Sequence, residues 1–245
     1  MQRLLLLLSM SVSLVFAQGV TSLPHIAVGG GWKTIFTIVN LSDMPGQAEL
    51  RFHAEDGTPL PVVLNSSNGQ NVMSASMMVP AHGVQVVETA GNAATTTSGW
   101  AEFVVDTTTA PLSISSVFRR QVNQNMTFEA AVPSTGNATK PLIIPFDDTA
   151  SFSTGVALVN PTTFQAATIP VIIRDANGIV IQMDSLTLAP GSHTSFTLAS
   201  KYPLTAAQVG TIEFDPDLTG GGLNAVALRF NPTGAFTTVQ PLSRQ

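Results

Sequence analysis

The chain has 245 residues, a formal net charge of −5, no cysteine, and only 10% charged residues. Without cysteine there are no disulfides, no thiolate metal sites and no cysteine nucleophiles. The few basic residues and the acidic balance argue against binding to nucleic acid or to an anionic membrane surface, since both require clustered Lys and Arg. The scarcity of Lys and Glu also argues against extensive exposed helix.

The N-terminus has the layout of a secretory signal peptide. Arg3 precedes an apolar run that extends from Leu4 to Phe16, and the small residue Ala17 follows. A membrane anchor is the alternative, but this run is shorter than the roughly 20 residues that a span needs. We therefore predict that residues 1–17 are a signal peptide cleaved after Ala17. The mature protein is then secreted or extracytoplasmic, with no membrane span.

The rest of the sequence contains an internal duplication. Residues 34–40 match residues 154–160 at an offset of 120, and four further matches follow in the same order in both halves. These four pair 55–57 with 176–178, 79–83 with 188–191, 99–103 with 210–214, and 117–119 with 227–229. Five matches in the same order indicate a repeat. We predict unit one over 18–134, a polar linker over 135–140 and unit two over 141–245.

Within each unit the pattern is one of strands and turns. Apolar, β-branched segments such as 34–39 and 171–174 are typical of strands. Asp56-Gly57 and Asn177-Gly178 favour type I′ hairpin turns, in which both central residues have positive φ. Only 202–208 has the character of a helical turn. The sequence therefore predicts an all-β fold made of two tandem Ig-like β-sandwich domains, with about seven strands each.

Several motifs resemble those of uncharacterised exported bacterial proteins with two tandem Ig-like β-sandwich units. They are the segments 29–34, 39–40, 99–102, 128–133 and 228–232. In that group the two-unit sandwich occurs alone or at the end of larger secreted chains. The resemblance covers nearly the whole mature chain, and it implies an Ig-like fold and an extracytoplasmic location. It implies no activity and no functional residues.

Two acidic pairs are weak candidates for a metal site. Asp147 and Asp148 follow the first predicted strand of unit two, and Asp215 and Asp217 lie at a later strand end. Calcium needs about six to eight oxygen ligands, several of them from carboxylates at loop ends. Unit one has no acidic pair at the first position. We expect solvated turn residues that do not converge, and hence no metal site and no cofactor.

Two glutamates and two arginines recur in both units despite the scarcity of charge. Glu102 and Glu213 each lie in a strand beside a phenylalanine, and Arg119 and Arg229 each lie in the next predicted strand. A carboxylate beside apolar neighbours needs a cationic partner, and neighbouring strands supply one. We therefore predict the structural ion pairs Glu102–Arg119 and Glu213–Arg229.

No catalytic pattern is visible. The four histidines lack metal-like spacing, and neither a Gly-x-Ser-x-Gly elbow nor a phosphate-binding glycine loop occurs. We expect a secreted non-enzymatic module for adhesion, extracellular matrix contact or protein–protein contact, with an extracellular protein or glycan as partner. The alternative is a carbohydrate-binding or calcium-assisted module. Trp32 and Trp100 are its weak candidates for stacking on a sugar, and their burial would favour the contact module.

Overall fold

The computed structural model describes residues 18–106, 108–123, 125–133, 140–216 and 222–243. Over these residues the chain is all-β, with one short α-helix. The predicted signal peptide, residues 135–139 of the predicted linker and the metal candidate Asp217 lie outside the described residues. The sheets pair as two β-sandwich units, called unit one and unit two below.

Unit one contains two packed antiparallel sheets and a small hairpin. Its strands are β1 (Gln18–Val28), β2 (Trp32–Asn40), β3 (Gly46–His53), β4 (Val62–Val63), β5 (Asn71–Val72), β6 (Ser74–Val79), β7 (Val84–Glu88), β8 (Thr97–Asp106), β9 (Leu112–Asn123) and β10 (Met126–Val132). The first sheet has the order β1-β8-β3-β6, the second has the order β10-β9-β2-β7, and β4 pairs with β5. Leu50 and Phe103 from the first sheet share one core with Phe36 and Ile38 from the second.

Unit two repeats this plan. Its elements are β11 (Leu142–Asp147), β12 (Ser153–Val159), β13 (Ala167–Asp175), β14 (Val180–Leu188), β15 (His193–Thr197), α1 (Leu198–Lys201), β16 (Val209–Phe214), β17 (Asn224–Phe230), β18 (Phe236–Val239) and β19 (Leu242–Ser243). A 3₁₀ turn over Pro203–Thr205 follows α1, inside the segment predicted as a helical turn. Leu198 and Tyr202 from this segment are buried in the core of unit two.

The two units have the same strand order. In unit two the first sheet is β14-β13-β16-β11-β19 and the second is β15-β12-β17-β18. With β19 set aside, each strand of unit two occupies the position of its counterpart in β1-β8-β3-β6 or β10-β9-β2-β7. This agreement confirms that the two halves share one topology, as the five sequence matches predict. Each unit has more strands than the seven expected.

A buried asparagine lies at the C-terminal end of the same strand in both units. Asn40 is the last residue of β2, and Asn160 directly follows β12. The Asn40 side-chain amide donates to three carbonyls, those of Met44, Val79 and Pro80, and Asn160 makes three equivalent bonds in unit two. Both side chains are fully buried. A buried amide is tolerated only when it is hydrogen-bonded, so each asparagine fixes the loops at its end of the sandwich.

Both predicted hairpin turns form, but they are not type I′. Only the glycines have positive φ, +84° at Gly57 and +81° at Gly178, while Asp56 and Asn177 stay outside the left-handed region. In each turn the glycine N–H donates to the carbonyl three residues earlier. This is a type I turn followed by a left-handed residue, the usual solution when a third loop residue is available to match the strand twist.

The predicted ion pair Glu102–Arg119 is wrong. Glu102 lies on β8 in the first sheet and Arg119 on β9 in the second, because the chain crosses from one sheet to the other between these strands. Glu102 instead faces His53 on the adjacent strand β3, with 3.4 Å between Oε2 and Nε2. Arg119 pairs with Glu129 on β10, with 2.5 Å between Nε and Oε1.

The predicted ion pair Glu213–Arg229 is wrong for the same reason. Glu213 on β16 and Arg229 on β17 lie in different sheets of unit two. Arg174, on the neighbouring strand β13, lies 2.6 Å from the Glu213 carboxylate, which is 2% exposed. Arg229 pairs with Asp147 instead, and both of those side chains are about one-third exposed. The Glu213 carboxylate is therefore buried in its ion pair with Arg174, whereas the pair between Arg229 and Asp147 is partly exposed.

The buried pair gives the first prediction. Arg174→Met removes the guanidinium from a buried carboxylate, so we expect it to lower the free energy of unfolding by about 3 kcal/mol or more. Arg51→Met, which breaks the surface pair between Arg51 and Glu49, should cost at most about 1 kcal/mol. Denaturant titration of both variants measures the difference. Equal losses would contradict the assignment of a buried pair.

Candidate functional site: the groove between the units

One end of unit one rests on the outer face of the second sheet of unit two. Between them lies a third apolar cluster that neither sandwich core contains. Its buried members are Phe118, Ala130 and Val132 from unit one and Ala157, Val226, Leu228 and Phe236 from unit two. Phe118 is fully buried there. We call this contact the joint.

Backbone and side-chain hydrogen bonds also cross the joint. The Trp100 indole Nε1–H donates to the carbonyl of Gly191 over 2.8 Å, and the His193 N–H donates to the carbonyl of Glu55 over 2.8 Å. A Cβ at Gly57 would lie 2.8 Å from the Gly191 carbonyl oxygen, so this approach requires glycine. Trp100 is 1% exposed and stacks on His53. It therefore anchors the joint and offers no ring to a ligand.

Trp32 also belongs to the joint. Its ring centroid lies 5.0 Å from that of Phe236 and 6.2 Å from that of Phe118, and the Arg120 guanidinium carbon lies 5.2 Å from it. The two tryptophans thus do not form a shared exposed face. Trp32 is half-buried and lines a cavity of about 240 Å³ at the joint.

Two histidines contact each other at the joint, His25 from unit one and His193 from unit two. The β1–β8 register shifts between Leu23 and Ile26, and this irregularity presents His25. Its Nδ1 lies 3.0 Å from Nε2 of His193, and the rings stack with centroids 5.0 Å apart. Burial lowers the pKa of His25 to about 4. Burial and the neighbouring His25 lower the pKa of His193 to about 2. Both rings are therefore neutral at pH 7.

An open groove runs along the joint. A cavity of about 260 Å³ lies on the outer face of unit two's second sheet, and a second of about 240 Å³ lies on the unit-one side. The two share four lining residues, so we treat them as one feature, the joint groove. Its principal lining residues are His25, Gly155, Ala157, Ser195, Leu228 and Phe230.

The groove is open because unit two carries small side chains where unit one carries larger ones. Gly155 and Ala157 stand at the positions of Ile35 and Thr37, at the offset of 120. Gly155 lies in a strand with ordinary φ, and a Cβ there would approach a ring carbon of Phe230 to 3.1 Å. The space above β12 therefore reflects missing side-chain volume and not a special backbone conformation. Comparing the two repeats position by position would have identified Gly155 from sequence.

The lining is apolar with a few hydroxyls. Among the residues that the structure describes, those around the two cavities are uncharged, and Ser195, Thr197 and Ser98 supply hydroxyl groups. A wall of this kind suits an apolar group that also accepts or donates one or two hydrogen bonds. It does not suit phosphate or a carboxylate, which need cationic partners.

The acidic metal candidates lie apart. Asp147 is the last residue of β11, and Asp148 follows it. Asp147 pairs with Val209, the first residue of β16. Asp215 follows the far end of β16, and six residue steps along the strand separate the two sites by roughly 20 Å. Asp217 falls outside the described residues. The described part of the chain has no group of three His, Asp or Glu side chains placed to hold a metal.

No protein-family model and no curated protein matches the chain. No helix in the described ranges is long and apolar enough to cross a membrane. What the protein does is therefore inferred from the geometry and chemistry of the joint groove.

The histidine pair gives the second prediction. Both pKa values lie below the ordinary 6.5, so protonation favours the unfolded chain. The stability that the neutral rings provide is complete above pH 6.5 and is lost as the pH falls toward 4. We expect a loss of about 4 kcal/mol between pH 7 and pH 5, roughly 2 kcal/mol from each ring, measured by denaturant unfolding. The double variant His25→Asn/His193→Asn should flatten this slope. The exposed-site control His82→Asn should keep it, and an unchanged slope in the double variant would contradict the prediction.

Proposed function

We propose that the protein is a secreted, non-enzymatic contact module of the cell exterior, made of two Ig-like β-sandwich units. We propose further that it binds an apolar segment of an extracellular protein in the joint groove. The observation that carries this proposal is the groove itself, which is open, uncharged and floored by Gly155 and Ala157. The signal-like N-terminus and the resemblance to exported bacterial proteins support the location.

The absence of charge around the groove favours binding over catalysis. Acid–base and nucleophilic catalysis need a side chain poised to exchange a proton with the substrate. His25 is the only titratable side chain in the described lining of the two cavities. Its Nδ1 faces His193, and its low pKa makes it a poor base near neutral pH. The groove therefore offers shape and burial rather than reactive groups.

The size of the groove favours one or two side chains of a peptide. Its two cavities of about 260 and 240 Å³ together lie in the lower part of the roughly 300–1,000 Å³ typical of ligand sites, and each cavity alone is of a size that one or two side chains fill. Burying one Leu or Phe side chain contributes about 1.5–3 kcal/mol. The hydroxyls of Ser195 and Thr197 lie on the edge strand β15, where they can meet a peptide backbone. We therefore expect moderate affinity and a requirement for an apolar residue.

Carbohydrate binding is the weaker candidate. Sugar recognition usually uses an exposed aromatic face, but Trp100 is buried and Trp32 is packed against Phe236 and Arg120. A calcium-assisted mode would need acidic ligands that converge, and Asp147 and Asp215 lie at opposite ends of β16. Nothing in the described part of the chain favours either mode over the groove.

A peptide display library selected on the purified protein tests the proposal, with a glycan array and a calcium titration run in parallel. We expect enriched peptides to share an apolar residue. Gly155→Ile introduces the side chain that unit one has at Ile35, and it should weaken peptide binding at least tenfold by filling the groove.

The matched control is Thr187→Ile, which adds the same side chain at an exposed position of β14 in the other sheet of unit two. It should leave peptide affinity unchanged. Peptides that bind Gly155→Ile as well as they bind the natural protein would exclude the groove. Binding to glycans alone would replace the proposed partner with a sugar.

A further inference from the structure

The contact between His25 and His193 accommodates one hydrogen atom and excludes a second. Nδ1 of His25 lies 3.0 Å from Nε2 of His193, so one of these nitrogens donates and the other accepts. In a protonated histidine both ring nitrogens are donors. If both rings were protonated, two N–H groups would point at each other across this distance. The closed joint therefore excludes the doubly protonated pair on geometry alone.

The surroundings of the pair do not compensate a positive charge. His193 is 4% exposed, and its Nδ1 is buried without a hydrogen-bond partner among the described residues. His25 is half-buried and packs edge to face against Phe118, with 5.4 Å between the ring centroids. Burial of a charged ring without a partner is costly. This cost lowers the pKa of His25 to about 4 and contributes to the pKa of about 2 at His193.

The charged side chains on the elements around the pair are engaged with other groups. These contacts join Lys33 to Glu88, Glu55 to Ser98, Asp56 to Thr58, Asp106 to Thr108, Arg119 to Glu129, Arg120 to the Trp32 ring, Lys201 to the Phe196 ring, and Arg229 to Asp147. His53, a further histidine at the joint, has the Glu102 carboxylate 3.4 Å from its Nε2. A proton on His53 thus has a counter-charge nearby. Within the described residues, neither His25 nor His193 forms an ion pair with a carboxylate.

The joint can open without unfolding either unit. The chain passes from unit one to unit two once, between β10 and β11. Over the described residues, each sandwich core is built from its own unit alone. Separation of the units therefore breaks the third apolar cluster and the hydrogen bonds across the joint, and it leaves both cores intact. It also exposes His25 and His193 to water, where a histidine is protonated near its ordinary pKa.

We propose that protonation of the His25–His193 pair in mildly acidic solution separates the two units while each unit stays folded. The open form binds two protons that the closed form excludes, so acid favours opening. The stability that the neutral rings give the closed form is complete above pH 6.5 and is lost as the pH falls toward 4. Between pH 7 and pH 5 the ratio of open to closed molecules should rise roughly 500-fold. Unit one walls one side of the joint groove, so opening also releases a bound peptide, a consequence that rests on the proposed function.

A distance measurement between the units tests the proposal. Because the chain has no cysteine, Ser76→Cys on β6 and Thr187→Cys on β14 place one spin label in each unit, both at exposed positions. We expect double electron–electron resonance to show one change in label distance between about pH 5.5 and 4. The logarithm of the open-to-closed ratio should rise by nearly two per pH unit, because opening binds two protons. The amides of Phe103 and Ile173, in the two cores, should stay protected from exchange throughout.

Variants of the labelled protein separate the histidine pair from general acid sensitivity. His25→Asn leaves one titrating ring of the pair, so the slope should fall to about one wherever its midpoint lies. His82→Asn, at the exposed pair with Asp43, should keep a slope of nearly two. A constant label distance from pH 7 to pH 4, a slope of one or less in the natural protein, an unchanged slope in His25→Asn, or loss of core protection during the step overturns the proposal. If His25→Asn is already open at pH 7, the slope of the natural protein decides. No readout uses a peptide, so the result is independent of the proposed function.

Discussion

Phe118 is the contact on which the arrangement of the two units depends. It lies on β9 of unit one, is fully buried, and packs in the cluster that unit two completes with Val226 and Leu228. The chain has no cysteine, so no disulfide fixes the two units to each other. Burying a phenylalanine contributes about 1.5–3 kcal/mol, and the hydrogen bond from Trp100 to Gly191 adds direction to that contact. Apolar burial provides the strength of the joint. The hydrogen bonds to the backbone carbonyls of Gly191 and Glu55 fix the position of one unit on the other.

The groove is a consequence of how the duplication diverged. Both units keep the same strand order and the same buried asparagine, so their outer faces are equivalent surfaces. Unit two has Gly155 and Ala157 where unit one has Ile35 and Thr37, and unit one covers only part of this face. Space remains where the two shapes do not match, and His25 and His193 close one side of it. The proposed binding surface and the packing of the units thus arise from the same set of substitutions.

The sequence predicts the local features of this structure well and its long-range contacts poorly. The repeat, the strand content and the turn glycines follow from short patterns, because strands and turns have strong local signals. The Glu–Arg pairs fail because nothing local indicates which sheet a strand joins. Arg119 and Arg229 look equivalent in sequence, yet they lie opposite Lys33 and Thr154 and so point to different faces. The pair of His25 and His193, 168 residues apart, depends entirely on how the units dock.

Amide hydrogen exchange in the variant Phe118→Ala tests the joint most directly. The His193 N–H has its acceptor, the Glu55 carbonyl, in the other unit, so its protection reports the joint alone. We predict that the variant loses at least tenfold protection at His193 while the amide of Ile173, in the core of unit two, exchanges as in the natural protein. Unchanged protection at His193 would contradict the account, because it would show that the two units hold together without the buried contact at Phe118.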